Sequence, residues 1–132
     1  MTEATDIYGT AFKNGSATMM ARIVGATGAN IAQADIATIS YYVYMLDDQN
    51  PDDRAAVAGH SQVNLPVYQV ISNSLQNDAT WTVDAVGYNF RHALDVSVHP
   101  AFAVAGRRYL IEYTLTPPAG QIILVRYRIN VI

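Results

Sequence analysis

Apolar and polar residues alternate along much of this chain, with the two-residue period of a β-strand that has two different faces. The clearest stretch is IATISYYVYML, residues 36–46. One face of this stretch would carry Ile39, Tyr41, Val43 and Met45, and the other Ser40, Tyr42 and Tyr44. Because both sets include large side chains, the pattern predicts a central strand with two partly covered faces.

Six further stretches have strand patterns, and no segment has the period of an amphipathic helix. These predicted strands are residues 7–12, 17–24, 62–71, 88–96, 107–116 and 121–132. Pro66 marks the third of them as an edge strand, since proline has no N–H to give to a neighbour. The Asn-Gly pair of KNGS, residues 13–16, predicts a tight turn into a return strand. Residues 72–87 are interpreted as a turn or short helical piece that places Leu75 and Trp81 in the core.

The last two predicted strands form a hairpin across PPAG, residues 117–120. One strand would place Tyr109, Ile111, Tyr113 and Leu115 on one face, and the other Ile123, Val125, Tyr127, Ile129 and Val131. Residues opposite each other in a hairpin lie on the same side, so both sets should face one core. The loop length then sets Glu112 opposite Arg126 on the outer face.

About seven strands at roughly ten-residue spacing are typical of an antiparallel sandwich. We therefore predict an all-β fold, and more specifically an antiparallel immunoglobulin-like β-sandwich. With 132 residues the chain is expected to form a single domain, residues 1–132.

Composition limits the classes of partner. Charged residues are 14% of the chain, against an average of roughly 25%, so its surface suits contact with other protein. Lys13 is the only lysine, the net charge is −3 and no basic patch is visible, which argues against a nucleic-acid partner. There is no cysteine, no signal-peptide pattern and no apolar run long enough to span a membrane, so we expect folding in a cytoplasm and no membrane partner.

The acidic loop DDQNPDD is the best candidate for a cation site. Its oxygen ligands of the kind calcium prefers are Asp47, Asp48, Asn50, Asp52 and Asp53. Their spacing differs from that of an EF-hand, and Asp and Asn also favour solvated turns. Because Arg54 is close enough to neutralise part of the charge, the sequence favours a turn, and no cofactor or metal is expected.

Enzymatic chemistry has little support in the sequence. The histidines His60, His92 and His99 have no metal-ligand spacing, and no GxSxG surrounds the serine of GHS, residues 59–61. We expect no catalytic residue and no enzymatic activity.

Nine tyrosines are the more informative feature, since a tyrosine can pack its ring on a partner while its hydroxyl stays hydrated. Tyr42, Tyr44 and Tyr68 fall on faces predicted to point outward. They suit a protein interface, and the alternative is a carbohydrate-binding or adhesion platform.

The stretch GYNFRH, residues 87–92, has the composition of a ligand site but also the parity of a strand. In that parity the inward positions are Tyr88, Phe90, His92 and Leu94, and the outward positions Asn89, Arg91, Ala93 and Asp95. We interpret it as a strand entered at Gly87, with Arg91 as a candidate interface contact.

Three stretches carry a family resemblance: LQNDATWTVDAVGYNFRHALDV, AFAVAGRRYLIEYTLTP and GQIILVRYRINVI. Together they resemble small proteins encoded among the head and tail structural genes of tailed bacteriophages and prophages, over roughly residues 36 to 132. The resemblance implies an immunoglobulin-like, non-enzymatic structural protein of the virion, such as a head decoration, neck or connector, or tail protein.

From this resemblance we expect docking against other virion proteins and against copies of the chain itself, as a homo-oligomer in the assembly. Localisation would be the virion, after folding in the host bacterial cytoplasm. Aromatic and aliphatic side chains would be buried against the partner, together with pairs made by arginines. The candidate arginines are Arg107, Arg108, Arg126 and Arg128.

Overall fold

A computed structural model describes residues 6–25, 28–50 and 52–132. The strands in these ranges are β1 (Asp6–Ala11), β2 (Thr18–Ala21), β3 (Thr38–Leu46), β4 (Arg54–Ala56), β5 (Val63–Leu65), β6 (Ile71–Gln76), β7 (Tyr88–Ala93), β8 (Arg108–Thr116) and β9 (Ile123–Val131). The helical pieces are a 3-10 turn at Gln33–Asp35 and a single α-turn, α1, at Val67–Val70. Within the described ranges, no helix has the length and apolar character needed to cross a membrane.

The strands form two sheets, as predicted for an all-β sandwich. The larger sheet has the order β1-β9-β8-β3-β4, with β5 also pairing with β3, and the smaller sheet has the order β2-β7-β6. Every pairing is antiparallel except that of β1 with β9. The nine strands exceed the predicted number because the short strands β4, β5 and β6 replace one long predicted strand and parts of two predicted loops.

The core lies between the two sheets and is rich in aromatic rings. Residues that are almost fully shielded include Ile39, Val43, Phe90, Phe102, Tyr109, Ile111, Tyr113 and Leu115. The Phe90 and Tyr127 rings both contact Tyr113, with edge-to-face geometry. Such packing of large rings stabilises the fold by more than the burial of their apolar area alone.

The register of the β8–β9 hairpin is confirmed. Glu112 pairs with Arg126, and the inward positions of both strands are buried apart from partly buried Ile123. The alternating pattern was sufficient here because a one-residue slip would have turned every apolar side chain outward.

The turn at residues 13–16 is present but does not make a hairpin. Asn14 has a positive φ of 58°, and the Gly15 N–H donates to the Phe12 carbonyl at 2.8 Å. The chain then leaves the larger sheet, because β1 pairs in parallel with β9 while β2 joins β7 in the smaller sheet. The prediction of a return strand paired with the first was therefore wrong.

The predicted strand 62–71 is also divided between the sheets. β5 ends at Leu65, Pro66 precedes α1, and Ile71 begins β6 in the smaller sheet. The helical piece thus lies earlier than residues 72–87, where it was predicted. Leu75 and Trp81 are only partly buried and lie outside the main core, since the loop they were assigned to begins as strand β6.

Candidate functional site

The outer face of the larger sheet carries a pair of stacked tyrosines. Tyr42 and Tyr44 lie two residues apart on β3, with ring centroids 5.5 Å apart and planes within 5° of parallel. The guanidinium carbon of Arg54, on the adjacent β4, lies 4.3 Å from the centre of the Tyr44 ring. Both tyrosines are half-buried, so two aromatic rings and a cation form one continuous surface.

Leucines extend this surface across the sheet. Leu110 of β8 pairs with Tyr44, and Leu46 of β3 pairs with Arg54, so both leucines share the outer face. Both are nonetheless buried, beneath the long side chains that border a groove of about 270 Å³. That groove is lined by Leu46, Asp52, Arg54, Leu110, Arg126 and Arg128. Arginine stems therefore cover apolar area and keep their charged ends at the surface.

Two of the predicted arginines, Arg126 and Arg128, also lie on this face, as the alternation along the last strand predicts. Arg126 Nε donates to Glu112 Oε2 at 2.9 Å, and Glu112 lies opposite Tyr42. Arg128 of β9 lies opposite Leu110. We call the surface formed by Tyr42, Tyr44, Leu110, Arg54, Arg126 and Arg128 the outer-face patch.

The other candidate interface residues are not gathered on the outer-face patch. Tyr68 is 69% exposed on α1, and exposed Arg91 lies on β7 of the smaller sheet. Arg108 is exposed at the first residue of β8, opposite Asn130 and on the same face as Leu110, just beyond the patch. Arg107 is used inside the molecule: Nη2 donates to the Leu46 carbonyl at 2.9 Å, and Nε lies 3.2 Å from Asp48 Oδ1 in an ion pair without hydrogen-bond geometry.

Arg54, Leu46 and Leu110 were missed as site residues in the sequence. Arg54 was assigned to the acidic loop, whereas it contacts Tyr44, and Arg107 is the cation beside Asp48. The β3–β4 register would have revealed Arg54, but the three-residue strand β4 has too few alternating positions to be recognised.

The acidic loop at residues 47–53 binds its own backbone. Asp47 Oδ1 accepts N–H groups from Gln49 and Asn50, at 2.9 and 3.0 Å, and these bonds lower the pKa of Asp47. Asn50 Oδ1 accepts from the Asp52 N–H at 3.3 Å. Among the residues described, no three histidine, aspartate or glutamate side chains lie close enough to hold a metal ion. The hydrogen bonds of Asp47 and Asn50 arrange the described part of this loop as a turn.

Histidines and tyrosines meet inside the sandwich in a second polar cluster. His60, which is buried, donates from Nε2 to the His99 carbonyl at 2.8 Å, and its Nδ1 lies 2.9 Å from the Tyr41 hydroxyl. His92 Nδ1 lies 2.6 Å from the Tyr113 hydroxyl. Burial lowers the pKa of His92 to about 4, with a smaller contribution from His60, and burial raises the pKa of Tyr113.

This histidine cluster is occupied by internal hydrogen bonds rather than open to a ligand. The Tyr41 and His92 rings lie 5.2 Å apart, and Tyr41 also packs on Tyr113. The prediction that His92 faces inward is confirmed. The cluster joins β3, β7 and β8 across the sandwich.

Asn89 corrects the interpretation of GYNFRH. It was assigned to the outward face with Arg91, but it is 1% exposed and forms three hydrogen bonds with the backbone of Ile23 and Ile31. Ile23 and Ile31 cover this side of the strand, which the alternation of β7 alone does not reveal. Tyr88 and Phe90 are buried and Arg91 is exposed, as predicted.

Comparison with known proteins adds no relative: no protein family, curated protein or solved structure matches the chain.

Proposed function

We propose that this protein is a non-enzymatic structural component of a tailed-phage particle that works by docking against other virion proteins and copies of itself. The observation that carries the proposal is the outer-face patch. It combines stacked tyrosines, the shielded Leu110, Arg54 held by a neighbouring ring and Arg126 held by a carboxylate. Aromatic residues and arginine are the residue types that contribute most binding energy at protein interfaces.

The order of strands supports an immunoglobulin-like fold as part of this proposal. In an immunoglobulin sandwich of the variable type, the larger sheet contains the last two strands of the chain next to the third strand. The smaller sheet contains the second strand and strands from the middle of the chain. Here β9, β8 and β3 are adjacent in the larger sheet, and β2, β7 and β6 form the smaller one.

A second feature agrees with that assignment. Tyr109 lies at the start of β8, and its hydroxyl accepts the Val104 N–H at 3.1 Å, five residues upstream. A buried tyrosine bonded back to the preceding backbone at this corner is a hallmark of immunoglobulin-like sandwiches. The resemblance of residues 36 to 132 to phage structural proteins supports the same class.

The carbohydrate alternative has less support on this face. A sugar needs an open aromatic ring face, and the Tyr44 ring already contacts Tyr42 and the Arg54 guanidinium. Exposed Tyr68 lies elsewhere, on α1.

The test is co-purification with the products of the genes that flank its own, expressed together with the tagged protein. We expect a head, neck or tail protein to co-purify, and the double variant Tyr44→Ser with Arg54→Ser to weaken this by at least about tenfold, since both groups lie at the centre of the patch. Tyr68→Ser is the matched control, because it removes an exposed tyrosine remote from the patch. Binding that survives the double variant, in protein shown to be folded by its melting temperature, would reject the outer-face patch as the docking site.

A further inference from the structure

The strand β1 is an edge of the larger sheet in the described part of the chain. On its inner side it pairs with β9, and among the described residues no strand pairs with its other side. The Ile132 N–H donates to the Ala11 carbonyl, and the Lys13 N–H donates to the Ile132 carbonyl, both at 2.9 Å. Because parallel pairing alternates, the odd-numbered residues of β1 bond to β9, and Tyr8 and Thr10 point their N–H and C=O groups outward.

This edge has few of the features that usually prevent strands from pairing between molecules. The segment from Ile7 to Phe12 contains no proline, lysine or other charged residue, and β1 pairs with β9 in an unbroken register. Large apolar side chains are exposed along it: Tyr8 is 75% exposed and Phe12 is 73% exposed. An open edge of this kind is a template for another β-strand.

We propose that β1 pairs antiparallel with β1 of a second copy about a two-fold axis at Gly9, joining two larger sheets into one continuous sheet. The inference rests on the proposed function, because it specifies the contact between copies that this function requires. In this register Tyr8 of one copy faces Thr10 of the other. Each of these pairs exchanges two N–H···O=C bonds, from groups that already point outward.

The register is self-complementary, which is why a second copy is the occupant we infer. Gly9 would face Gly9 at the axis, where the absence of Cβ atoms permits close approach. The one charged residue of β1, Asp6, would be placed opposite Phe12 rather than opposite its own symmetry mate. The β9 strands, with Arg126 and Arg128, would be separated by both β1 strands, or about 14 Å, which is beyond the screening length of roughly 8 Å at physiological salt.

Apolar burial favours the same arrangement. Ile7 faces inward and borders a groove of about 290 Å³ between β1 and β2, which Met19 and Val83 also line. In the two-fold register Ile7 lies opposite Ala11 of the second copy, which extends the apolar layer over this opening. A six-residue strand buries less than the ~1,200 Å² of a stable complex, so the isolated dimer should be weak and should strengthen where copies are held at high local concentration.

The experiment is sedimentation velocity of the full chain from micromolar to millimolar concentration. We expect a monomer–dimer equilibrium, with a dissociation constant raised at least about tenfold by Thr10→Pro, because the variant removes one outward donor from each copy. Proline is tolerated where an edge N–H faces solvent, so the β1–β9 pairing should persist. Thr10→Ala is the matched control, since it keeps the N–H and should change the constant by less than about twofold.

Amide exchange of the wild-type protein gives a second measurement that needs no variant. Protection of the Tyr8 and Thr10 amides should rise with concentration, whereas that of the Gly106 amide, already bonded to the Val131 carbonyl, should not. A monomer throughout this range, or a dimer in which neither amide gains protection, would overturn the inference. If the protein is such a monomer but still co-purifies with virion proteins, the inference is rejected and the proposed function is retained.

Discussion

The side-chain amide of Asn89 forms two hydrogen bonds with the backbone of Ile23, one to its N–H and one to its C=O, as a neighbouring strand would. Oδ1 of Asn89 accepts the Ile23 N–H at 2.7 Å, and Nδ2 donates to the Ile23 carbonyl at 2.9 Å and to the Ile31 carbonyl at 3.2 Å. One buried side chain thereby satisfies polar backbone groups of the segment that leaves β2, where the regular pairing with β7 has ended.

Substituting Asn89→Ala should lower the free energy of unfolding by about 3 kcal/mol, because the Ile23 N–H would stay buried without an acceptor. Urea denaturation measures the change. Arg91→Ala on the same strand is the control, since its exposed side chain should contribute no more than about 0.5 kcal/mol. Equal effects of the two substitutions would contradict the role assigned to the amide.

Stability should rise with pH between about 4 and 6.5 because of His92. Its pKa is lowered from 6.5 to about 4 in the folded protein, so the unfolded chain binds more protons in this interval. The stabilisation is present above pH 6.5 and is lost as the pH falls to about 4, with an upper limit of about 3.5 kcal/mol at roughly 1.4 kcal/mol per pH unit. Melting temperatures across this range test the expectation.

His92→Gln should flatten that pH dependence, and His99→Gln, at an exposed position, should preserve it. The carboxylates with lowered pKa values, Asp47, Asp78, Asp84 and Asp95, act mainly below pH 4, since each starts from an ordinary value of 3.8. An unchanged slope in His92→Gln would assign the effect to another group.

Gly87→Ala should be among the most destabilising single-atom additions in the chain. Gly87 has φ +112°, and a Cβ there would lie 2.5 Å from the Gln76 carbonyl oxygen, so both backbone strain and a clash oppose it. We expect a loss of about 3 kcal/mol or more. Gly106→Ala is the matched control: φ is +81° with open space around it, which leaves only about 1–2 kcal/mol of strain. Chemical denaturation measures the loss in the free energy of unfolding for both variants. Equal losses would show that the contact with Gln76 is unimportant.

Calcium should leave the melting temperature unchanged, because the Asp47 carboxylate is already bonded to two backbone N–H groups. Asp47→Ala should lower the melting temperature, whereas Asp47→Asn should largely preserve it, since an amide oxygen can accept the same bonds. Thermal melts with added calcium and with excess chelator make the measurement. A calcium-dependent rise that Asp47→Asn abolishes would instead support a metal site.

Local alternation was enough to predict the β8–β9 hairpin and to place Tyr42, Tyr44, Arg126 and Arg128 on an outward face. It was not enough where distant segments decide the outcome. The side of Asn89 depends on the segment around Ile23 and Ile31, which covers it. The partner of β1 is likewise selected by packing of Ile7 and Ala11 beside Tyr127 and Val131 at the other end of the chain.

The outer-face patch was predicted only in part for a related reason. Leu110 falls between two inward-facing residues, and its burial depends on arginine side chains from neighbouring strands. Tyr68 and Arg91 are exposed, as predicted, but they lie on α1 and β7, away from the tyrosine pair.

The parallel pairing of β1 with β9 also sets an order for folding during synthesis. Asp6 pairs with Arg126, so β1 leaves the ribosome before the other described strands and its partner β9 is made after all of them. Closing so long a loop is slow compared with forming hairpins. We expect β3, β8 and β9 to assemble around the core first and β1 to be added last. Newly made copies can therefore exchange their β1 strands at this last step.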